Sequence, residues 1–169
     1  VDNVDLLVDA IQALALLKEA GWTPKNNQLV NAQGQPFTFT FLDGQGGFDR
    51  MVMPYKRTLA QIGINMEIRK VDSAQYINRL NARDYDMIVV AFPRSGQPIV
   101  SPGREMYDMF GSGSATQVGS SNSFVLRDPA VDTLLDGLVQ ANSREEMVHY
   151  ARALDRVLQW GYYMIPNYY

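Results

Sequence analysis

Apolar residues along this chain recur with a helical period in some stretches and alternate with polar ones in others. Over residues 9–20 the helical period holds: Ala10, Leu14 and Leu17 share a face, Leu7 is in phase, and Gly21 supplies a stop. Residues 1–8 read either as a linker or as the first turns of that helix. Residues 22–35 are turn-rich. Leu29 and Val30, followed by Asn31-Ala32-Gln33-Gly34, predict half of a small hairpin that leads into the next strand. Residues 37–42 then alternate, with Phe37, Phe39 and Phe41 on one side of a strand. A helix is predicted from Phe48, with Met51, Val52, Tyr55, Leu59 and Ile62 as its stripe, Pro54 near its first turn and Gly63 closing it. Residues 64–71 form a second strand, carrying Ile64, Met66 and Ile68 on one face. Asp72 caps a third helix in a capping box with Gln75, and Ala74, Ile77 and Leu80 are its predicted buried face.

The run 87–92 is short, β-branched at Ile88, Val89 and Val90, and stopped by Pro93, so it reads as a buried strand. The resulting order is β, α, β, α, β with short connections, which predicts a parallel sheet with right-handed crossovers. Further on, Asp128 and Pro129 open a helix lined by Val131, Leu134, Leu135 and Leu138. Ser143 to Glu146 form a capping box for the last helix, whose stripe is Met147, Tyr150, Ala151, Leu154, Val157 and Leu158. Residues 162–169 read as a closing strand. The fold class is α/β, a mixed and mostly parallel sheet flanked by helices, and residues 1–169 read as one domain.

Between the third strand and the helix at Pro129 lies a stretch rich in Gly, Ser and Pro, residues 93–124, with no clear periodicity. Loops of that length are uncommon in compact domains unless they are functional or disordered. This one carries Arg94, Arg104, Glu105 and Asn122 just past the end of a strand. Open α/β sheets bind ligands outside the carboxyl ends of their strands. The loop is therefore the predicted ligand-contacting wall, and it is expected to be the most poorly packed part of the chain. Met106 and Met109 within it could line an adaptable pocket.

Composition narrows the function classes. The 169 residues are 46% hydrophobic and 20% charged, which is ordinary for a globular domain. A net charge of −3 with no basic block argues against nucleic-acid binding. With no cysteine, disulfides and thiolate metal sites are excluded. No apolar run reaches the length of a membrane span, and the N-terminal residues lack the pattern of a signal peptide.

Gly44-Gln45-Gly46-Gly47 sits where a dinucleotide fingerprint would sit, but the third glycine would fall at Asp49, whose charge opposes a pyrophosphate. Tight-turn glycines are the first reading of this segment; a helix N-terminus holding a ligand carboxylate is the second. The single histidine, His149, lies off the apolar stripe of the last helix and reads as solvated. Neither a nucleophile elbow nor a metal-ligand spacing occurs, so no catalytic residue, metal or cofactor is predicted. Arg79 and Arg83 flank the face of the third helix, and one of them could pair with a ligand carboxylate.

Several segments resemble one family. ALALLKEAGW (13–22), YKRTLAQIGINMEIRKVDSAQY (55–76), YDMIVVAF (85–92) and DPAVDTLLDGLVQA (128–141) resemble the solute-binding proteins of bacterial peptide ABC importers, extracellular family 5. SPG at 101–103 with Glu105, GSSN at 119–122 and ALDRVLQWGYYMIPNYY at 153–169 resemble its oligopeptide and microcin C branch. The resemblance implies a periplasmic-binding-protein-like lobe, the C-terminal one of two joined by a hinge, with residues 1–8 and 162–169 near the hinge crossings. It implies a peptide or peptide-like ligand trapped between this lobe and a missing N-terminal lobe, delivery to ABC importer membrane subunits, and a periplasmic or lipid-anchored extracellular location. Classical members hold the ligand's amino group with an aspartate just past the strand that here ends at Phe92. This chain reads Phe92-Pro93-Arg94-Ser95-Gly96 there, without an acid. Glu105 could replace it, or Arg94 could meet an anionic or blocked ligand.

The implied ligand-contacting residues are Phe92, Arg94, Ser95, Ser101, Glu105 and Asn122, with Tyr76 and Arg79 on the same rim. Alternatives are a binding protein for nickel, haem or an opine-sugar phosphate, or an α/β hydrolase or nucleotide-binding domain.

Overall fold

In the computed structural model, residues 3–44, 46–90 and 102–165 are described, with side chains from residue 10 onward. They divide into two compact units, Val1–Arg79 with Tyr85–Val89, and Leu80–Asp84 with Val90–Tyr169. No linker-like stretch marks this division in the sequence, because it runs through a helix.

In the first unit, helix α1 spans Asn3–Glu19, so the residues before position 9 that are described are its first turns. It ends in a Schellman motif. Gly21 has φ +90°, its N–H donates to the Lys18 carbonyl, and the Trp22 N–H donates to the Leu17 carbonyl at 2.9 Å. Strands β1 (Thr23–Lys25) and β2 (Gln28–Val30) pair antiparallel. Asn26 and Asn27 join them with φ of 51° and 60°, the left-handed pair that a two-residue hairpin turn requires. The Asn31 side chain then orders the second turn by accepting from the Gln33 and Gln35 N–H groups.

Strand β3 (Thr38–Asp43) pairs in parallel with β4 (Asn65–Lys70), in register from Thr38 opposite Asn65 to Asp43 opposite Lys70. Helix α2 (Asp49–Gln61) connects them. Pro54 is inside α2 and not in its first turn as the sequence suggested. The core of this unit is Phe41, Val52 and Met66, packed by Phe39, Phe48, Tyr55, Leu59, Ile68, Met87 and Val89.

Helix α3 spans Ser73–Ala82. The Gln75 N–H donates to the Asp72 carboxylate at 2.9 Å, so the predicted cap forms. The predicted inward face forms only in part: α3 has no buried residue, Ala74 and Ile77 are exposed, and its partly covered positions are Tyr76, Arg79, Leu80 and Asn81. Of the predicted triplet only Leu80 is partly covered. The deciding contact is Tyr76 against Gly44.

The predicted strand 87–92 reduces, over its described residues, to one parallel bridge between Met87 and Phe41. Met87 donates to the Thr40 carbonyl and accepts from the Leu42 N–H. The Asp86 carboxylate takes the Thr40 N–H at 2.8 Å, a group that a ladder partner would otherwise use. β3 has only two residues left beyond Phe41 before it bends at Gly44.

In the second unit, α4 (Glu105–Phe110) and a 3₁₀ turn (Ser112–Ser114) replace the featureless loop expected there. Helices α5 (Pro129–Gln140) and α6 (Arg144–Trp160) follow as a helical hairpin. Asp128 caps α5 through the Ala130 N–H, and Ser143 caps α6 through the Glu146 N–H. The Glu146 carboxylate reaches back to the Asn142 N–H, one residue earlier than a standard capping box. The core is Met109, Phe110, Leu126, Val131, Leu135, Leu138 and Leu154. Residues 105–124 contribute Met109 and Phe110 to this core, so that part of the predicted loop is well packed, and Met109 lines no adaptable pocket. His149 is exposed, as its register predicts. Residues 163–165 are not strand; the rest of the predicted closing strand, 166–169, lies outside the described residues.

Candidate functional site

In the first unit the strand order places a site. β3 is the first strand of the β-α-β-α-β run, β4 pairs on one side of it, and Met87 bridges to its other side. The chain therefore reverses its direction of winding between β3 and Met87. In open α/β sheets, ligands usually bind at the carboxyl ends of the strands beside such a reversal.

The residues at that end are Asp43, Gly44 and the glycines beyond. Asp43 is buried, its Oδ1 accepts from the Gly46 N–H at 3.0 Å, and its carbonyl accepts from the Val71 N–H at 2.9 Å. Gly46 and Gly47 have φ of 63° and 94°, backbone that favours glycine, in keeping with the first reading of these glycines. Tyr76 lies half-buried on Gly44, and Arg79 is half-buried one turn further along α3. The sequence reading places Tyr76 and Arg79 on this rim, gives the segment from Gly44 to Gly47 a ligand role only as its second reading, and gives Asp43 none. The signal was present, a carboxylate and a glycine directly at a strand end, but a turn explained both.

In the second unit a polar lock holds residues 111–126. Asn122 is fully buried. Its Nδ2 donates to the carbonyls of Gly111 and Leu126, both at 3.1 Å, and to Ser114 Oγ at 3.3 Å; its Oδ1 accepts from the Leu126 N–H at 2.9 Å. Ser114 and Ser120 extend the lock: Ser114 Oγ donates to the Gly111 carbonyl and Ser120 Oγ to the Ser114 carbonyl, each at 2.7 Å. Arg83, held at φ +57°, donates to Ser120 Oγ at 2.7 Å and to the carbonyls of Ser120, Gln117 and Leu80. These bonds of Asn122 are all internal to its loop. Glu105 opens α4, is exposed, and accepts from the Gly103 N–H at 2.8 Å through Oε1. Phe92, Arg94, Ser95 and Ser101 lie outside the described residues.

Beside this loop is an open groove of about 270 Å³ lined by Tyr107, Asp108, Gly111, Gly113, Ser114, Gln117 and Asp132. Its carboxylates hold the chain in place: Asp108 accepts from the Ser121 N–H and Asp132 from the Ser112 N–H. Tyr107 donates to Asp136 at 2.5 Å, and this bond, with some burial and the negative charge of Asp136, raises the phenol above its ordinary value. A raised folded-state value means that the bond stabilises the fold below the ordinary tyrosine pKa, about 10. That contribution is lost as pH rises through the raised value. Alkaline difference spectra of Tyr107→Phe should lack one late-ionising phenol; an unchanged titration would refute the bond.

Among the described residues no helix is long and apolar enough to cross a membrane, and no group of three or more His, Cys, Asp or Glu side chains could hold a metal ion.

The chain belongs to the bacterial extracellular solute-binding proteins, family 5, whose middle region matches residues 5–117. It is 41% identical over 159 residues to an Agrobacterium fabrum protein named "Probable peptide-binding protein YejA", covering 94% of this chain and 25% of that protein. It is 38% identical to the peptidoglycan-binding protein YepA of the same organism, covering 93% of this chain and 25% of that protein. Among solved structures, the oligopeptide-binding protein AppA of Bacillus subtilis in complex with a nonapeptide superposes with a TM-score of 0.71 at 23% identity, covering 87% of this chain and 29% of that one. A mannohexaose-bound periplasmic oligopeptide-binding protein from Thermotoga maritima superposes with a TM-score of 0.75 at 25% identity, covering 93% and 30%. The chain spans about a quarter of the length of the curated relatives it matches, 25% in both cases above.

Proposed function

We propose that this chain is one lobe of a two-lobe binding protein of an ABC importer, located in the periplasm or anchored outside the membrane, that captures peptides or peptide-like solutes without catalysis. The observation that carries this reading is the reversal of strand order at β3; open α/β sheets take their ligands at the carboxyl ends of the strands beside such a reversal, which here are Asp43 and Gly44. Residues 1–169 would act as a single ligand-binding body, with the ends of the chain near the hinge. Half of a cleft would be lined by Tyr76 and Arg79, with Glu105 and the segment containing Phe92, Arg94, Ser95 and Ser101 as further contacts. Asn122 would set the shape of the wall from inside. A second lobe would close over the ligand and exclude water, and relatives four times as long as this chain have room for one. Backbone groups of an extended peptide would be satisfied mainly by the protein's own backbone, which gives tolerance for side chains. The names of the relatives, for peptide and for peptidoglycan binding, support a ligand that contains peptide bonds.

The test is mass spectrometry of the solute released from the parent protein purified under native conditions, followed by calorimetry. The parent is expected to release and rebind a short peptide or peptide-bearing fragment, while residues 1–169 alone give little heat. Release of a metal chelate or a sugar phosphate with no peptide would overturn the ligand class. Micromolar or tighter peptide binding by this chain alone would overturn the two-lobe reading.

A further inference from the structure

The turn at the end of β3 has an explanation beyond chain reversal. A Cβ placed on Gly44 would lie 2.1 Å from Cγ of Tyr76, 2.3 Å from its Cδ2 and 2.5 Å from its Cβ. Real Cβ atoms do not approach other atoms that closely. Gly44 does not have a positive φ, unlike Gly46 and Gly47, so its backbone conformation is open to any residue. The Tyr76 side chain alone excludes a side chain at position 44.

Both sides of this contact are anchored. On the strand side, Asp43 is pinned through its carboxylate to Gly46 and through its carbonyl to Val71. On the helix side, the Asp72 carbonyl accepts from the Tyr76 N–H and its carboxylate from the Gln75 N–H, both at 2.9 Å. A side chain at position 44 cannot be accommodated by rotating the Tyr76 ring alone, because Tyr76 Cβ, which rotation leaves in place, would still lie 2.5 Å away; Tyr76 has to move as a whole, against the anchors on one side or the other. Tyr76 is half-buried, so part of its ring lies on Gly44 and part remains accessible at the strand end.

We propose that Gly44 is a positioning residue: the absence of a side chain there seats the Tyr76 ring flat against the end of β3, where the ring forms an apolar floor for a ligand side chain. This rests on the capture reading of the same strand ends. The favoured ligand group is aromatic or aliphatic, because a tyrosine ring face stacks on apolar surface.

The test uses the parent protein, with trialanine and alanyl-phenylalanyl-alanine as probes. Gly44→Ala should shift the aromatic resonances of Tyr76, assigned by their loss in Tyr76→Phe, and this arm needs no ligand. The phenylalanine peptide should bind the wild type more tightly than trialanine does. Gly44→Ala and Tyr76→Ala should each weaken its binding by about tenfold or more, and Tyr76→Phe should recover most of what Tyr76→Ala loses. The two alanine changes together should cost no more than the worse one alone, because both act through one ring. Unmoved Tyr76 resonances in Gly44→Ala would overturn the seating. Peptide binding that is intact in Tyr76→Ala would overturn the role of the ring and leave the capture reading standing. A wild-type protein that takes neither peptide would remove the capture reading and the ligand role of Tyr76 together, with the resonance shift still reporting the seat.

Discussion

Asn122→Ala is expected to be among the most damaging single substitutions in this chain. It would orphan the Leu126 N–H and remove the donor shared by the carbonyls of Gly111 and Leu126 and by Ser114 Oγ. A buried polar group left without its partner costs about 1–3 kcal/mol, and more than one is exposed to that cost here, so a loss of about 3 kcal/mol is expected. Native-state hydrogen exchange reads it directly. Amides of Val131, Leu135 and Leu138, the buried face of α5, should lose protection by about a hundredfold, since every 1.4 kcal/mol is tenfold. Asn122→Asp should not rescue the loss, because a carboxylate supplies no donor to either carbonyl and its charge would be fully buried. Protection within about threefold of wild type in Asn122→Ala would mean that water replaces the amide and that the lock is not structural.

The other large effect concerns the sign of the ligand's charge. Under the proposed function, Arg94 and Glu105 are the charged groups that follow the sheet and that no helical stripe explains. Removing one partner of a buried, hydrogen-bonded charge pair costs about 2–5 kcal/mol. In the parent protein, one of Arg94→Ala and Glu105→Ala should therefore weaken binding by at least about tenfold. Loss with Glu105→Ala identifies a ligand amine, and loss with Arg94→Ala an anionic or blocked end. Glu105 already accepts from the Gly103 N–H through Oε1. If Glu105 is the counter-charge, the ligand amine would be read by the carboxylate that also fixes the start of α4. Wild-type affinity in both variants would remove this loop from the ligand-contacting wall.

Much of the fold is legible in short-range pattern, for reasons that are local. Gly21 ends α1 because only the left-handed region completes a Schellman motif there. Asp72, Asp128 and Ser143 cap their helices because a side-chain oxygen two (Ser) or three (Asp) bonds from Cα reaches the next free N–H groups whatever lies beyond. The β3-α2-β4 unit follows from alternation, then a helical stripe, then alternation. The strand-end location of a site follows from the same order, and Tyr76 and Arg79 were placed on its rim for that reason.

What failed depended on contacts distant in the sequence. The apolar triplet Ala74, Ile77 and Leu80 predicted the covered face of α3, yet of these only Leu80 is partly covered, and Tyr76 joins it because Gly44, 32 positions earlier, leaves room for its ring. Residues 105–124 carry no period, so they read as loose. Their order comes from a buried amide, two serine hydroxyls and an arginine that satisfy one another and the backbone. Polar residues carry no burial signal in a sequence; only mutual satisfaction makes their burial affordable. The run at 87–90 has the composition of a strand, but ladder pairing needs a partner, and β3 bends away at Gly44, three residues beyond Phe41. The sequence by itself determined helices α1, α2, α3, α5 and α6, the caps of α3, α5 and α6, and the parallel crossover. The tertiary structure alone decided which face of α3 is covered, how residues 111–126 are held, and that the end of β3 is shaped by a missing side chain, because each of these is a relation between atoms far apart in the chain.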